Sequence, residues 1–277
     1  MEHDPTIYLG SARHYVNGRP RYSAVLADTI RNELGLDGHG VLVDVGCGPG
    51  IVALELAHLF DEVIGVDQDA GMLAEAARQA GRRGITNVSW RQALGEDLAT
   101  LGVPAPRLVT FGQSLHWMDC ERVVDVVYDL LEPGGSIALI AHSIVKRPVE
   151  PPDPALPRIP HKEVEALVRS YLGPRRRAGQ GLNPGEPERF EELLPRTKFG
   201  TCRMVVAPGR EDIVRDVDSV VDGFFSMSWC APHLFGNRRD AFEADLRDLL
   251  LAHGPGGRFW DWPGDTDIVI GTKTLAN

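Results

Sequence analysis

The 277-residue sequence predicts an α/β fold with a seven-stranded, mostly parallel sheet, helices on both faces and a helical insertion after the fifth strand. Two observations lead to this prediction. Short β-branched apolar runs alternate with segments of helical periodicity up to residue 144, and a proline-rich stretch then interrupts the alternation. Such alternation specifies βαβ units, whose crossover helices cover both faces of a parallel sheet.

The first half of the chain supplies five of the predicted strands. The run from Val41 to Val45 is almost wholly apolar, as expected of a central strand that is covered on both faces. The predicted strands are 41–45, 63–66, 88–91, 108–111 and 136–142. The predicted helices of this half are 23–34, 51–60, 70–79 and 122–131, each from apolar residues at helical spacing.

The second half is less regular. Six prolines between Pro148 and Pro160 exclude a helix or strand interior there. Helical patterns follow at 161–172, 188–194, 211–221 and 238–253, and strand patterns at 201–206 and 266–271. We therefore divide the chain into a ligand-binding core (1–144), a helical insertion that caps the site (145–197) and a segment that completes the sheet and adds a pocket wall (198–277).

Composition and charge exclude several classes of protein. Hydrophobic residues make up 43% and charged residues 25%, which is ordinary for a globular enzyme and unlike a disordered or disulfide-stapled chain. The net charge of −10 disfavours a nucleic-acid partner. The four cysteines are far apart, so no metal site is predicted. No signal peptide or membrane span is visible, and we expect a cytoplasmic protein without a membrane partner.

A glycine-rich loop follows the first predicted strand. Asp44 lies in the strand, and Gly46, Gly48 and Gly50 follow it before a helix begins at Ile51. Glycines allow the backbone to turn sharply and to approach a ligand closely. A dinucleotide fingerprint would place its third glycine at position 51, and no Lys-Ser/Thr pair follows. The loop therefore argues against both NAD and a nucleoside triphosphate.

The run Asp-Val-Gly-Cys-Gly-Pro-Gly in this loop resembles motif I of the class I S-adenosylmethionine-dependent methyltransferases, which have a Rossmann-like fold. The resemblance implies that Gly46, Gly48 and Gly50 wrap the amino-acid and ribose parts of S-adenosylmethionine. It also implies that Asp44 orients the loop and the methionine end of the cofactor. The alternative is a glycine turn of another α/β fold.

The end of the second strand carries a further match. Asp67 lies 21 residues after Gly46, where a carboxylate accepts hydrogen bonds from ribose hydroxyls. The following residues are similar to the family's second motif, which implies that Gln68 and Met72 line the adenine pocket. Met72 is equally explained as a core residue. Asp69 is predicted to be the N-cap of the next helix.

After the third strand, Leu94, Gly95 and Glu96 fall where the family has a loop at the amino edge of the adenine. The resemblance implies that they bind the cofactor. Many relatives carry Asp where this chain has Ala93 or Leu94, and Glu96 is alternatively a solvated side chain.

The fourth strand leads into Gln113, Ser114, His116 and Trp117, a run that resembles the "His-Trp" subgroup of small-molecule methyltransferases, which includes relatives of trans-aconitate methyltransferase. Gln113 and Ser114 follow the carboxyl end of a strand, where α/β folds bind ligands, and we assign them to the cofactor. His116 is the candidate general base. The alternative is that His116 braces the loop while Trp117 packs in the core.

The N-terminal segment also matches this subgroup. Tyr15, Arg19 and Tyr22 occupy the positions of its Tyr-x-x-x-Arg-Pro-x-Tyr stretch. The resemblance implies that Tyr15 and Arg19 cover the cofactor and contact its carboxylate; alternatively, this segment only braces the first helix. Residues 145–197 and 224–235 are the candidate walls of an acceptor pocket.

The sequence thus predicts transfer of a methyl group from S-adenosylmethionine to an oxygen or nitrogen of a small molecule, mainly by proximity and orientation. The subgroup resemblance and the use of 25 arginines against four lysines favour a secondary metabolite of a GC-rich bacterium. Two alternatives stay open: a protein of the same fold with non-methylating chemistry or a regulatory role, and a nucleic-acid methyltransferase. The absence of an Asp/Asn-Pro-Pro-Tyr/Phe tetrad argues against the second. The oligomeric state is not predicted.

Overall fold

The computed structural model describes residues 6–143, 149–179, 181–182 and 189–275. Parts of the predicted insertion, residues 145–148, 180 and 183–188, therefore lie outside the described residues. The strands are β1 (Val41–Val45), β2 (Glu62–Asp67), β3 (Val88–Gln92), β4 (Leu108–Gly112), β5 (Ser136–His142), β6 (Arg177–Ala178), β7 (Gly181–Leu182), β8 (Arg203–Ala207), β9 (Ile213–Asp216), β10 (Arg258–Asp261) and β11 (Thr266–Thr272).

Seven of these strands form one sheet in the order β3-β2-β1-β4-β5-β11-β8. The five strands from β3 to β5 pair in parallel, whereas β11 is antiparallel to both of its neighbours. The predicted seven-stranded, mostly parallel sheet is confirmed. The strand order changes direction between β1 and β4, and in open α/β sheets ligands bind outside the carboxyl ends of the strands at such a point.

Helices cover both faces of the sheet, as predicted. The helices are α1 (Ala12–Gly18), α2 (Leu26–Leu34), α3 (Ile51–Leu56), α4 (Ala70–Arg83), α5 (Cys120–Leu130), α6 (His161–Leu172), α7 (Phe190–Leu193), α8 (Val217–Phe225) and α9 (Arg239–His253). On one face, Ile30 and Leu56 pack against Leu42 in the first buried cluster. On the other face, Val123 of α5 packs against Val43 in the second cluster. The spacing of these apolar residues produces the two layers.

A third apolar cluster lies beside the sheet and joins distant parts of the chain. It contains Val164 of α6, Phe224 and Phe225 of α8, and Phe242 and Leu246 of α9. The described part of the predicted insertion thus contributes to a helical layer together with the C-terminal segment. This layer has its own buried aromatic core, so it provides a second rigid surface next to the sheet.

Helix α1 packs directly on α8. A Cβ added to Gly18 would lie 2.1 Å from the carbonyl carbon of Asp222, so the two backbones approach as closely as glycine allows. The Oγ of Ser11 donates to the carbonyl of Phe225 at 2.9 Å. His14 Nδ1 and Asp222 Oδ1 lie 2.6 Å apart, and the Arg215 guanidinium donates to the Gly18 carbonyl at 2.6 Å.

The predicted helix 211–221 is wrong at its start. Residues Ile213–Asp216 form β9, which pairs antiparallel with β10 and places Val214 opposite Trp260. The helix begins only at Val217, because Asp216 is its N-cap and accepts from Ser219 N at 2.8 Å. The β-branched residues of this segment match either element, and the pairing with a strand some 45 residues away decided between them.

The other predicted boundaries differ by a few residues. The α-helix predicted at 51–60 ends at Leu56 and continues as a 3-10 turn from Ala57 to Leu59. Helix α4 extends four residues beyond the predicted 79 and ends at Gly84, whose φ is 66°. Between Arg177 and Leu182, where no strand is predicted, the structure contains the short pair β6 and β7. Among the described residues, no helix is both long enough and apolar enough to cross a bilayer.

Candidate functional site

Two connected cavities lie at the carboxyl ends of the parallel strands. We call the first the β3-side cavity, because Leu94 and Gly95 after β3 line it together with Asp67. The second, the β5-side cavity, has a volume of about 280 Å³ and is lined by His142 at the end of β5. Their shared lining residues are Tyr15, Gly46, Gly48, Gly112 and Gln113. The two cavities therefore adjoin at these residues.

The glycine loop separates the two cavities. Gly46 has a φ of 63°, and a Cβ there would lie 2.5 Å from the Ser114 Cβ. Gly48 has a φ of 53°, but a Cβ there would meet nothing within 4 Å. Gly46 is thus required by the packing of the loop. Gly48 instead leaves space open toward the cavities, as the close approach of a ligand requires.

Asp44 is buried beneath this loop, with 1% of its surface exposed. Its Oδ1 accepts from the Thr110 hydroxyl at 2.7 Å, and its Oδ2 accepts from Ala53 N at 3.1 Å. These bonds join β1 to β4 and to α3, so Asp44 holds the loop in place; it also lines the β5-side cavity. Burial raises the pKa of Asp44 to about 7.

Asp67 ends β2 at the β3-side cavity. Its Oδ2 accepts from Gly48 N at 2.8 Å, and its Oδ1 accepts from Asp69 N at 2.9 Å. Burial raises its pKa, while these two backbone hydrogen bonds oppose the rise. Each carboxylate oxygen has a further lone pair, which leaves capacity for hydroxyl donors from a ligand.

The residues after Asp67 build the side of this cavity. Asp69 is the N-cap of α4, as predicted, and accepts from Gly71 N and Met72 N at 2.7 and 3.3 Å. Met72 is 2% exposed and lines the cavity, so it is both a core residue and a candidate ligand contact. The Gln68 Oε1 is buried and has no hydrogen-bond partner among the described residues. A buried unpaired acceptor beside a cavity marks a place for a donor from a ligand.

The loop after β3 closes the opposite side. Leu94, Gly95 and Glu96 all line the β3-side cavity, as expected. Gly95 is packed against Met118, whose Sδ would lie 2.5 Å from a Cβ at this position. The Glu96 carboxylate accepts from Asp119 N at 3.0 Å, so it also ties this loop to the start of α5.

Gln113 and Ser114 connect the two cavities after β4. Gln113 has a φ of 54°, the one positive φ at a non-glycine residue in the described ranges. Its N–H donates to the Ile140 carbonyl at 2.9 Å, and the Ser114 hydroxyl donates to the Val45 carbonyl at 2.5 Å. A left-handed conformation costs about 1–3 kcal/mol at such a residue and is concentrated at binding sites.

Helix α1 and the residues after it form a cover over the crevice. Tyr15 lines both cavities, and its ring meets the Tyr8 ring edge to face at 6.1 Å. The Arg19 guanidinium lies over the Tyr15 ring at 5.0 Å and lines the β5-side cavity. Within the described residues, Arg19 forms no ion pair with a carboxylate, so its charge is available to an anionic group of a ligand.

The structure does not bring His116 to either cavity. The residue lies on the 3-10 turn from Leu115 to Trp117, with its ring 4.6 Å from that of Trp117. Burial, together with the nearby charge of Arg19, lowers the pKa of His116 to about 4. Such an imidazole is neutral at pH 7 but a weak base. This placement agrees with the alternative that His116 braces the loop.

Several residues of the β5-side cavity were not predicted. His142, His161, Asp261 and Trp262 line it together with Met227. The rule that assigned Gln113, that strand ends bind ligands, applies equally to His142 at the end of β5. The sequence around the other residues gives no comparable signal, because distant segments bring them to the cavity.

The stretch 224–235, a candidate acceptor wall, reaches the β5-side cavity through Met227. Phe224, Phe225 and Cys230 lie in the third apolar cluster. The Ser226 hydroxyl donates to the Gly223 carbonyl within its own helix. Trp229 lines a separate, smaller cavity beside α6. The spacing of the aromatic residues fits core packing as well as it fits a pocket.

No group of three or more His, Cys, Asp or Glu side chains in the described ranges is arranged to hold a metal ion.

Comparison with known families shows that residues 42–135 match the methyltransferase domain family. The matched segment runs from β1 to the turn before β5. It includes the glycine loop, Asp67 and Gln113, but neither Arg19 nor His142.

Curated relatives match about the same region. A probable S-adenosylmethionine-dependent methyltransferase, CRG1 of Saccharomyces cerevisiae, is 31% identical over 137 residues, which cover 48% of this chain and 47% of the relative. Methyltransferase cfoB of Aspergillus candidus is 31% identical over 131 residues, 45% of this chain and 40% of that protein. Ubiquinone biosynthesis O-methyltransferase of Acinetobacter baumannii is 34% identical over 104 residues, which cover 37% of this chain and 44% of that protein. The chain spans less than half the length of each of these relatives.

Solved structures support the fold. The YcgJ protein of Bacillus subtilis aligns with a TM-score of 0.51 at 18% identity, over 90% of this chain and 98% of that one. The precorrin 8W decarboxylase of Methanobacterium thermoautotrophicum aligns with a TM-score of 0.50 at 15% identity, over 92% and 94%. The subgroup stays a prediction. The strand order and the glycine loop with Asp67 agree with a Rossmann-like methyltransferase fold, and residues 42–135 match the methyltransferase domain family.

Proposed function

We propose that this protein transfers the methyl group of S-adenosylmethionine to an oxygen or nitrogen atom of a small molecule, and that the acceptor is a secondary metabolite. The observation that carries the proposal is that the two cavities adjoin at Gly46, Gly48 and Gln113. An adenosine in the β3-side cavity would then present its sulfonium to a second molecule in the β5-side cavity.

The β3-side cavity suits the adenosine. Asp67 has lone pairs for the two ribose hydroxyls, and its position is fixed by Gly48 N and Asp69 N. Met72 and Leu94 offer apolar surface to the adenine, and the buried Gln68 Oε1 offers an acceptor for a donor such as the adenine amino group.

The methionine end would extend past Gly48 into the β5-side cavity. The Arg19 guanidinium there is free of carboxylate partners among the described residues and suits the carboxylate of the methionine. Asp44, with its pKa raised to about 7 by burial, lies on the same side near the place of the amino group. This arrangement supports the predicted roles of both residues.

Catalysis would rest mainly on position. The cofactor supplies an electrophilic methyl group that is bound to a sulfonium. The sulfur leaves as a neutral thioether. The protein has to hold the acceptor atom in line with that methyl group and to exclude water. Tyr15 and Tyr22 cover the crevice, and the rigid sheet ends fix the loop beneath it. Orientation alone can lower the barrier of such a reaction by about 7–11 kcal/mol.

The acceptor would enter from the outer side of the β5-side cavity. This side opens through Arg19, Tyr22 and Asp261 into a larger outer cavity of about 740 Å³. His161, Met227 and Trp262 close the remaining wall, which supports the proposal that 145–197 and 198–277 complete an acceptor site on the cofactor-binding core. The relative named ubiquinone biosynthesis O-methyltransferase supports the choice of a small-molecule acceptor.

The test begins with cofactor binding. Isothermal titration calorimetry should show S-adenosylhomocysteine binding and no binding of NADH. Asp67→Asn should lower the affinity for S-adenosylhomocysteine by about 10- to 150-fold. The substitution removes a charged acceptor and places an amide NH₂, which cannot accept a hydrogen bond, next to a backbone N–H. The matched control Glu62→Gln removes an exposed carboxylate from the other end of β2 and should leave affinity unchanged.

Transfer is then measured with S-adenosylmethionine labelled in its methyl group, using a panel of small hydroxyl and amine compounds and a transfer RNA pool. Label in a small molecule supports the proposal, and label in RNA would support the nucleic-acid alternative instead. Bound cofactor without any transfer would favour a non-methylating role. Binding of NADH in place of S-adenosylhomocysteine would overturn the proposal altogether.

A further inference from the structure

The β5-side cavity contains side chains that the cofactor does not need. His142, Tyr22, Met227 and Trp262 line it beyond the glycine loop, on the side away from Asp67. In the arrangement proposed above, this is the space that faces the sulfonium methyl group. The chemistry of these side chains therefore restricts the acceptor.

Flat aromatic side chains form part of the wall of this space. The Tyr22 ring stacks on the His142 imidazole with 5.0 Å between ring centroids and 25° between planes. Trp262 is 8% exposed, and Met227 and Pro263 complete the lining. Aromatic and methionine surfaces of this kind bind planar rings by apolar contact, with a few polar groups to fix orientation.

His142 is firmly held close to the place of methyl transfer. It is the last residue of β5, where it pairs with Thr266 of β11. Two residues earlier, the Ile140 carbonyl accepts from the N–H of Gln113, which lines both cavities. The next residue, Ser143, donates its N–H to the Asp265 carbonyl at 2.8 Å. These bonds fix the backbone of His142 at the cavity, and its imidazole stacks on the Tyr22 ring.

We propose that the acceptor is a phenol-type molecule, an aromatic ring bearing a hydroxyl group, and that His142 takes the hydroxyl proton during transfer. This inference rests on the proposed function and names its acceptor class and base. A hydroxyl attached to a ring needs deprotonation before it attacks well, whereas a neutral amine does not. Flat aromatic side chains in the wall suit an aromatic ring, and the His142 imidazole supplies a base for its hydroxyl group.

The step balances without a further reactant. The phenolic O–H bond breaks as its proton passes to an imidazole nitrogen of His142. The oxygen lone pair forms a bond to the methyl carbon, and the C–S bond breaks with its electron pair going to sulfur. The products are a methyl ether and S-adenosylhomocysteine. The imidazolium then releases its proton to water through the outer cavity.

The charged and titratable groups around His142 come from every element that lines the cavity. Burial raises the pKa of Tyr22, so its hydroxyl stays neutral at the stacked position. The Asp261 carboxylate is held by Arg215, with Oδ2 and Nη1 3.2 Å apart. The lining groups are Tyr15, Arg19 and Tyr22 before α2, Asp44 on β1, Cys47 after β1, His161 on α6 and Asp261 on β10.

The experiment compares two acceptors that differ in acidity. Phenol keeps its proton at pH 8, whereas 4-nitrophenol is largely ionised and needs no base. We expect His142→Gln to lower kcat for phenol by about 100-fold or more and to change kcat for 4-nitrophenol by less than about threefold. At pH values below the pKa of the base, the wild-type rate with phenol should decrease. The variant should lack this inflection in its pH–rate profile. His253→Gln, at the exposed end of α9, is the matched control.

The outcomes separate this inference from the proposed function. Affinity for S-adenosylhomocysteine in His142→Gln shows that the variant is folded. Equal losses with both acceptors would mean a structural role and overturn the assignment of the base. A loss in His116→Gln instead of His142→Gln would also overturn it. Methylation of aniline but no phenol, or of neither ring compound despite cofactor binding, would overturn the acceptor class. Failure to bind the cofactor would refute the proposed function itself.

Discussion

Asp44 should make the protein less stable as the pH rises from about 4 to 7. Its carboxyl is 1% exposed and accepts from the Thr110 hydroxyl and from Ala53 N. Burial outweighs these two bonds and raises its pKa from the ordinary 3.8 to about 7. The informative change is Asp44→Asn, because the amide keeps the shape and does not titrate. Its oxygen can accept from Ala53 N while its NH₂ donates to Thr110.

The sign follows from which state holds the proton. Between pH 4 and 7, folded Asp44 is protonated while the unfolded chain has released its proton, so the folded state binds more protons and loses stability as the pH rises. Above pH 7 both states are ionised and the cost stays constant. The rise from 3.8 to about 7 corresponds to about 4 kcal/mol, at about 1.4 kcal/mol for each tenfold change in proton binding. This is a large part of the stability of an ordinary domain, about 5–15 kcal/mol.

Urea denaturation of the ligand-free protein, from pH 4 to 8 in steps of half a pH unit, measures this effect. The quantity of interest is the free energy of unfolding of Asp44→Asn minus that of the wild type, which should grow by a few kcal/mol between pH 4 and 7 and then level off. Glu62→Gln, which removes an exposed carboxylate of the neighbouring strand, should show a nearly constant difference. A constant difference for Asp44→Asn as well would refute the reasoning from burial.

Three further predictions concern the crevice and its cover. Gly18→Ala would place a Cβ 2.1 Å from the Asp222 carbonyl carbon and should cost about 1–3 kcal/mol of unfolding free energy. The control Gly81→Ala, in the open part of α4, should be neutral or stabilising. Equal melting curves for Gly18→Ala and the wild type would contradict the close packing of α1 on α8. Gly48 and Gly102 both have a positive φ and open space around them, so replacing either by Ala should cost about 1–2 kcal/mol of unfolding free energy. Only Gly48→Ala should weaken the binding of S-adenosylhomocysteine in calorimetry. Equal affinities of the two variants would remove Gly48 from the site. Arg19→Ala should weaken S-adenosylhomocysteine by about 10- to 150-fold and methylthioadenosine, which lacks the amino-acid part, by less than twofold; equal losses would show that Arg19 does not hold the carboxylate.

The sheet could be predicted because its signals are local. The strands β1, β2, β4 and β5 are short, mainly apolar runs, and the glycine loop directly follows β1. The pairing of β9 with β10 could not be predicted, because Val214 and Trp260 are far apart in the sequence and local periodicity gives no information on such pairs. Local pattern cannot distinguish a β-branched helix start from a short strand when the partner strand is distant.

The site divides in the same way. The cofactor side was predictable, since Asp67 and Gln113 follow strand ends and the parallel order brings those ends together. The prediction of His116 rested on a short run of residue types, and His116 is not among the residues that line the two cavities. His142 ends a correctly predicted strand, yet Asp261 reaches the same cavity only through the tertiary packing of β10.

The docking of α1 has a consequence for how the protein matures. Its contacts reach far along the chain: Ser11 bonds to Phe225, His14 to Asp222, and Gly18 to Arg215. The strands that carry the glycine loop and Asp67 all precede residue 143, so a growing polypeptide can assemble them well before α8 leaves the ribosome. Until then the helix that carries Tyr15 and precedes Arg19 lacks α8, its main packing partner, although it can already contact α4. During synthesis the crevice is therefore built early and closed late, and a nascent chain gains firm retention of its cofactor only when the last third has been made.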